Sequence, residues 1–479
     1  MTVQRFPRFV VAGLSGDSGK TLVSLGLALA ARARGLEVQG FKKGPDYIDT
    51  AWLAWATGRP GRNLDTWMAG FEGAARRFRR SGLAEGLNLI EGNRGLFDGV
   101  NSDGKYSTAG LARTLAAPVL LVVSARKTTT TAAALVLGCQ RMDPAVSIAG
   151  VILNHVAGSR HETVTRDAIE RACGVPVLGA LPRLDMEGGR RSAPMLLPGR
   201  HLGLVTPSEH PDAEALAPRL AALIAGHVDV ERVMGIAGHA PALELAPERS
   251  GRGRGSGDFG VALVVGYLRD SAFGFYYPEN LEALEALGAR LLPISSLQAP
   301  ALPPGLHALY LGGGFPETHA LHLAANRLLL DSSAVAAARG LPIYAECGGL
   351  MLLAESMEWR GQRHRMAGVL PFDIEVLDRP QGHGYSLLQV DRPNPFFAVG
   401  TTLRGHEFHY SCIVDRTQEP GVRFVSACAV ERGVGVGGGR DGVVINNVWA
   451  SYTHLHADGT PEWAPAVIGA ARRFAAGDR

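Results

Sequence analysis

The chain has 479 residues, 46% of them hydrophobic and 19% charged, with a formal net charge of +3 and five cysteines. One core does not grow to that length, so two or three domains of ordinary globular composition are expected. The near-neutral charge gives no global argument for nucleic acid, no stretch has the eighteen or so uncharged residues of a bilayer span, and the odd, scattered cysteines suit a reducing compartment, the cytoplasm by default.

The apolar run Phe9-Val10-Val11-Ala12 leads through Gly13-Leu14-Ser15-Gly16-Asp17-Ser18-Gly19-Lys20-Thr21 into the apolar residues 22–31, which reads as strand, glycine-rich loop and helix. Backbone N–H groups at such a helix N-terminus face an anion, here around Gly13, Ser15, Gly16, Ser18 and Gly19. Lys20 is placed to reach the terminal phosphates of a nucleoside triphosphate, and the Thr21 hydroxyl to ligate magnesium. Five residues separate Gly13 from Gly19, one more than in the usual loop. A second strand, residues 37–41, delivers Lys42-Lys43-Gly44-Pro45-Asp46-Tyr47-Ile48-Asp49 into a loop. Ligands bind where the strands of an open α/β sheet end, which gives weight to Asp46 and Asp49. Residues 87–90 form an apolar strand that closes on Glu91-Gly92-Asn93-Arg94-Gly95-Leu96-Phe97-Asp98-Gly99. A carboxylate in that place suits magnesium or its water, Glu91 first and Asp98 second.

The near-continuous apolar runs 117–123 and 148–154 predict parallel strands buried on both faces, with helices over residues 128–138 and 162–173 and a further strand over 175–182. The first half is therefore expected to be a doubly wound parallel α/β sheet. Residues 183–201, rich in arginine, proline and glycine, read as surface loop. Residues 248–257 hold no apolar side chain and read as a flexible linker. The expected division is a nucleotide-binding domain over residues 1–240, a linker over 241–258 and a second α/β domain over 259–479.

That second domain opens with a strand over 260–265, a helix over 278–287 and a strand over 291–294. A strand over 306–311 then ends at Gly312-Gly313-Gly314-Phe315-Pro316-Glu317, where three glycines leave backbone N–H groups to face a ligand, an oxyanion being one candidate. In Leu341-Pro342-Ile343-Tyr344-Ala345-Glu346-Cys347-Gly348-Gly349-Leu350, a cysteine stands at a sharp strand-to-helix turn. This is the pattern of a nucleophile elbow, and the following helix N-terminus is expected to favour the thiolate. The cysteines at 139, 173, 412 and 428 read as packing residues. A cysteine nucleophile needs a base, and His454, soon after the apolar Val443-Val444-Ile445, can end a strand of the same sheet. His406 and His409, in Arg404-Gly405-His406-Glu407-Phe408-His409-Tyr410, have a spacing that would also suit a substrate loop or a metal, although no cysteine stands near enough to complete a zinc set.

Taken in order, residues 13–21, 43–49, 91–92 with 95–99, 404–411 and 450–456 resemble the cobyrinic acid a,c-diamide synthase family, over nearly the whole chain. The resemblance implies a dethiobiotin-synthetase-like P-loop domain joined to a class I glutamine amidotransferase domain. It implies that ATP and magnesium phosphorylate a peripheral acetate of a modified tetrapyrrole, a polycarboxylate substrate. Cys347 would attack glutamine with His454 as its base, N–H groups near Gly313 and Gly349 would hold the oxyanion, and ammonia would pass inside the protein to the acyl phosphate. By the same motifs the loop from Gly13 to Thr21 carries nucleotide, Thr21, Asp46 and Glu91 carry magnesium, and Tyr47, Asp49 and Asp98 serve the activated carboxylate. No nucleic acid or membrane partner is implied, and a homodimer is compatible with the resemblance.

Two stretches depart from the family pattern, Thr50-Ala51-Trp52-Leu53 after Asp49 and Asn93-Arg94 before Gly95. They resemble the branch associated with sulfur-oxidation gene clusters, which implies sirohydrochlorin or sirohaem as the alternative ring. His456 stands where many amidotransferases have a glutamate, so a Cys–His pair without an evident third member is expected. A nucleotide-switch protein related to partition ATPases is the reading from another class, and it has no use for Cys347 or His454.

Overall fold

Aliphatic residues crowd the strands of the first unit so densely that both faces of its sheet must be covered, and crossover helices do this. The computed structural model describes residues 2–183, 199–200, 203–245, 263–414 and 424–477. The chain divides into two compact units, Met1–Arg252 and Gly253–Arg479. In the first, seven strands run in the order Arg62–Leu64, Val38–Lys43, Leu87–Gly95, Arg8–Gly13, Val119–Ser124, Ile148–Val156 and Val177–Pro182. Every neighbouring pair is parallel. Parallel neighbours need a crossover, and the helices Lys20–Arg32, Ile48–Thr57, Gly70–Ser81, Thr108–Thr114, Thr130–Met142 and Ser159–Cys173 provide them. The helix expected to stop at residue 138 continues to Met142, and Pro144 sets its end. Arg8–Gly13 lies at the middle of the sheet, so the glycine-rich loop leaves from its centre.

Residues 241–245, expected to belong to the linker, include the strand Leu243–Leu245, which pairs antiparallel with Thr2–Gln4. The buried Arg8 guanidinium adds a tie, donating to the carbonyls of Phe6, Leu115, Ala116 and Pro241. These residues are thus part of the first unit's fabric. The linker of 248–257 and, apart from residues 183 and 199–200, the loop of 183–201 lie outside the described residues.

In the second unit a ten-stranded sheet runs Arg290–Ile294, Val264–Leu268, Ala308–Leu311, Ile343–Glu346, Val448–Ser451, Arg440–Ile445, Val425–Arg432, Gly382–Val390, Thr402–His409 and His454–Leu455. The first five strands are parallel and the rest antiparallel. Side chains alternate across it: Leu309, Leu311, Ile343 and Ala345 join one apolar cluster, while Ala308, Tyr310, Tyr344 and Trp449 join another. The second cluster is closed by the helix Trp463–Ala476 through Trp463, Val467 and Ile468. Two residues carry the chain from Ser451, paired with Glu346, to His454, paired with His406, which folds the last strand back toward the nucleophile turn. Among the described residues no helix is long and apolar enough to cross a membrane.

Candidate active sites

The loop of the first unit is shaped by two left-handed residues, Asp17 at φ 52° and Gly19 at φ 95°. A Cβ on Gly19 would lie 2.1 Å from Asn154 Nδ2, which itself donates to Ser18 O at 2.9 Å. Only glycine suits a position that is both left-handed and in such close contact. Asn154, near the end of Ile148–Val156 and two strands across from Arg8–Gly13, thus ties down the loop, a role the sequence reading missed. Its signal was the one that marked Glu91, a polar residue closing an apolar parallel strand. Lys20 Nζ turns back to donate to Ser15 O at 2.8 Å. Burial, then Lys42, lower its pKa against the opposing pull of Glu91, Asp49 and Asp17. A buried ammonium whose hydrogen bond goes to a neutral carbonyl is well suited to an anion.

Thr21 and Lys42 both donate to Glu91 Oε1, each at 2.8 Å. Lys42 is directly opposite Glu91 in the parallel register, so ammonium and carboxylate share a face. The same ammonium pairs with Asp49 Oδ2 at 2.5 Å and reaches Gly92 O at 3.2 Å. Asp46 joins through Asp49 N, which donates to its Oδ1 at 2.7 Å. Three carboxyl groups thus crowd one cation. Burial and the nearby Asp49 push Asp46 up to about 7. Burial also raises Glu91 above the usual carboxylate range, although Lys42 opposes it. Burial opposes the charge on Lys42, but Asp49, Glu91 and Asp46 outweigh it and hold the ammonium protonated. Among the described residues, the buried Glu91 Oε2 has no hydrogen-bond partner.

Sequence reasoning named these carboxylates and missed Lys42 as their shared partner. Tyr47 immediately precedes the helix Ile48–Thr57, beside Asp46. Asp98 instead accepts from Gly95 N at 2.7 Å and closes its own turn.

In the second unit, Ile343–Glu346 ends in Cys347 at φ 47° and ψ −97°, and the helix Gly348–Leu353 follows. A non-glycine residue held at positive φ is strained, and such strain gathers where a side chain must be presented. A Cβ on Gly349 would collide with Leu311 O at 2.4 Å, and one on Gly348 would crowd Gly314 N at 3.2 Å. A Cβ on Gly313 would sit 2.6 Å from His454 Cε1 and 3.3 Å from its Nε2. The Nε2 edge of His454 therefore lies against Gly313, and the Gly313–Gly314 backbone lies against the first residue after Cys347.

The expectation that the helix end favours the thiolate is corrected. Burial, then Glu317, push the Cys347 thiol up, and the bond from Gly348 N–H does not offset them. The helix has six residues and little dipole to offer. A protonated thiol at rest needs a base.

His454 Nδ1 is 3.4 Å from Glu346 Oε2, which also accepts from Tyr310 OH at 3.1 Å. Glu346 Oε1 accepts from Leu455 N at 3.1 Å. No spacing rule pointed to Glu346, and it went unnoticed beside the cysteine. His406 stacks on His454 with centroids 5.0 Å apart and approaches Tyr277 OH at 3.2 Å through Nδ1. Burial and then His454 hold it well below the ordinary histidine pKa, hence neutral. His409 lies on the opposite face of the same strand, stacked 3.7 Å from Tyr452 with Nδ1 donating to Ser411 O at 2.7 Å. The two histidines therefore cannot share a metal. Among the described residues no three His, Cys, Asp or Glu side chains surround a common metal position. All five cysteines are unpaired.

Residues 9–187 match the family described as the CobQ/CobB/MinD/ParA nucleotide binding domain, and residues 264–462 the CobB/CobQ-like glutamine amidotransferase domain. The chain is 42% identical over 464 residues to a cobyrinate a,c-diamide synthase of Magnetococcus marinus, covering 96% of both chains. It is 41% identical over 467 residues to the protein of that name from Syntrophotalea carbinolica, covering 96% of this chain and 98% of that one. With the one from Dehalococcoides mccartyi strain CBDB1 it shares 38% identity over 481 residues, 98% of this chain and 99% of that one. A nucleotide-binding half and a glutamine amidotransferase half, matched over nearly their whole length by these relatives, make the chain a member of the cobyrinate a,c-diamide synthase family.

Proposed function

We propose that this chain uses ATP and glutamine to convert peripheral acetate groups of a cobyrinate-type tetrapyrrole into amides. The observation that carries the reading is the strained Cys347 turn with His454 seated over Gly313, in the same polypeptide as Lys20, Thr21 and the buried Glu91. Lys20 leaves Ser15 O for a phosphate oxygen, and the N–H groups of the loop face the same phosphates. Thr21 and Glu91, with its unpartnered Oε2, fit magnesium, which takes one or two protein oxygens and completes its shell with phosphate and water. Bound there, the ion would neutralise charge on the phosphates during transfer to the acetate. Asp46, Tyr47 and Asp49 stand by the carboxylate being activated as an acyl phosphate.

At the other site His454 takes the Cys347 proton, and the sulfur attacks the carboxamide carbon of glutamine. N–H groups near Gly313 and Gly349 receive the oxyanion. Ammonia leaves, water cleaves the thioester, glutamate departs, and the ammonia displaces phosphate from the activated acetate. These steps belong to the cytoplasm, where both cosubstrates are soluble.

Cys347→Ser tests the division of labour: glutamine-supported amidation should vanish while added ammonium salt still supports it. Loss of both would overturn the assignment. The departures at Thr50-Ala51-Trp52-Leu53 and Asn93-Arg94 favour a second reading with sirohydrochlorin as the ring. Mass spectrometry of products from cobyrinate and sirohydrochlorin offered side by side decides between them.

A further inference from the structure

Resting on the reading of Cys347 and His454 as the glutamine-cleaving pair, we infer that Glu346 is its third member, a positioning residue that keeps the His454 proton on Nδ1. Both Glu346 oxygens act as acceptors, Oε1 from Leu455 N at 3.1 Å and Oε2 from Tyr310 OH at 3.1 Å. The carboxyl group therefore meets Nδ1, 3.4 Å from Oε2, as an acceptor as well, and the favourable partner is Nδ1–H. With the proton there, Nε2 carries the lone pair, and Nε2 is the atom that lies against Gly313 on the elbow side. The opposite tautomer would set a lone pair against a carboxylate oxygen and leave nothing to accept the thiol proton.

The elbow makes the arrangement possible. Glu346 reaches Tyr310 and Leu455, members of one apolar cluster, whereas Cys347 belongs to the cluster on the other face. Chain neighbours thus address the imidazole from two sides. Glu346 is fully buried and is held through a chain of bonds, since Asn280 donates to Tyr310 OH at 3.3 Å and to Leu455 O at 2.9 Å. His456, two residues beyond the base, is engaged elsewhere: Nε2 is 3.6 Å from Glu279 Oε2, and Nδ1 accepts from Asp458 N at 3.1 Å.

In the step itself the proton moves from Cys347 Sγ to His454 Nε2, and the sulfur keeps the electron pair that forms the bond to carbon. The Nδ1 proton stays where it is. Glu346 stabilises the imidazolium that results.

Glutamine hydrolysis and alkylation of Cys347 by iodoacetamide, both followed against pH, test this in wild type, Glu346→Gln and Glu346→Asp of the full chain. The titratable groups around the pair include Glu346, Glu317, Glu407, Tyr310, Tyr277, Tyr452, His406 and His456, and only Glu346 is altered. Glu346→Gln should lower kcat by roughly 10²-fold, the usual worth of a working general base, and leave KM for glutamine within about threefold. Alkylation of Cys347 should slow by a similar factor, because the tautomer that accepts the thiol proton is no longer favoured. A kcat within about threefold of wild type, a loss confined to KM, or an unchanged alkylation rate would overturn the inference. Should Glu346→Gln fail to fold, Glu346→Asp decides: a lowered kcat with KM retained supports the role, and an unchanged kcat or a loss confined to KM removes it. A wild-type chain that hydrolyses no glutamine and whose Cys347 resists iodoacetamide would instead sink the underlying reading of the pair.

Discussion

Lys42 is paired directly with both Glu91 and Asp49, with Asp46 beside them, and Lys42→Met removes the charge while keeping most of the side chain's volume. The side chains of Lys42 and Glu91 are 3% and 0% exposed, so water cannot replace the partner lost to Glu91, while Asp49 at 21% keeps some access to it. Removing one member of a buried ion pair costs about 3–5 kcal/mol. At about 2–4 °C per kcal/mol for a unit of this size, the first unit's transition should fall by about 6–20 °C.

The sign with pH is specific. Asp46 is held up at about 7 and Glu91 is raised as well. The folded state therefore binds more protons than the unfolded chain above the ordinary carboxylate range, and stability declines as pH rises toward those raised values. Lys42 restrains both groups, so its loss moves their pKa values further up and steepens the decline. The deficit should be smaller at about pH 5, where Asp46 is protonated, than at about pH 8. Differential scanning calorimetry of the full chain at both pH values reads this directly, the first unit's transition being recognised by its upward shift with ATP and magnesium. An equal deficit at both pH values would show that Lys42 acts through packing, and the charge argument would be wrong.

Gly19→Ala forces a side chain into a left-handed position and onto Asn154 Nδ2, 2.1 Å away. The backbone strain alone is about 1–2 kcal/mol, so nucleotide affinity measured by calorimetric titration should drop by roughly tenfold or more, and an unchanged affinity would remove the loop from the site. Gly313→Ala places a methyl group 2.6 Å from His454 Cε1 and should displace the base. Glutamine-supported turnover should fall by roughly 10²-fold with ammonia-supported turnover kept, and full glutamine activity would mean that His454 has another resting place.

Much of this protein could be read from residues that are neighbours along the chain. Buried parallel strands are written as contiguous apolar runs, so the alternation of residues 117–123 with a helix and then 148–154 was legible from pattern alone. The loop from Gly13 to Thr21 and the turn at Cys347 were legible for the same reason, since each is a strand-to-helix junction whose parts are consecutive. Partners that meet across the sheet were not. Lys42 finds Glu91 across 49 residues, and Glu346 finds His454 across 108. Those meetings depend on strand order, and hydrophobic periodicity carries no information on which strand lies beside which. Leu87–Gly95 inserts between Val38–Lys43 and Arg8–Gly13, and only that insertion turns a lysine in a polar loop into the hub of a buried charge cluster. The state of Cys347 was likewise decided by depth: a helix end argued for the thiolate, and burial beside Glu317 outweighed it once the turn was packed.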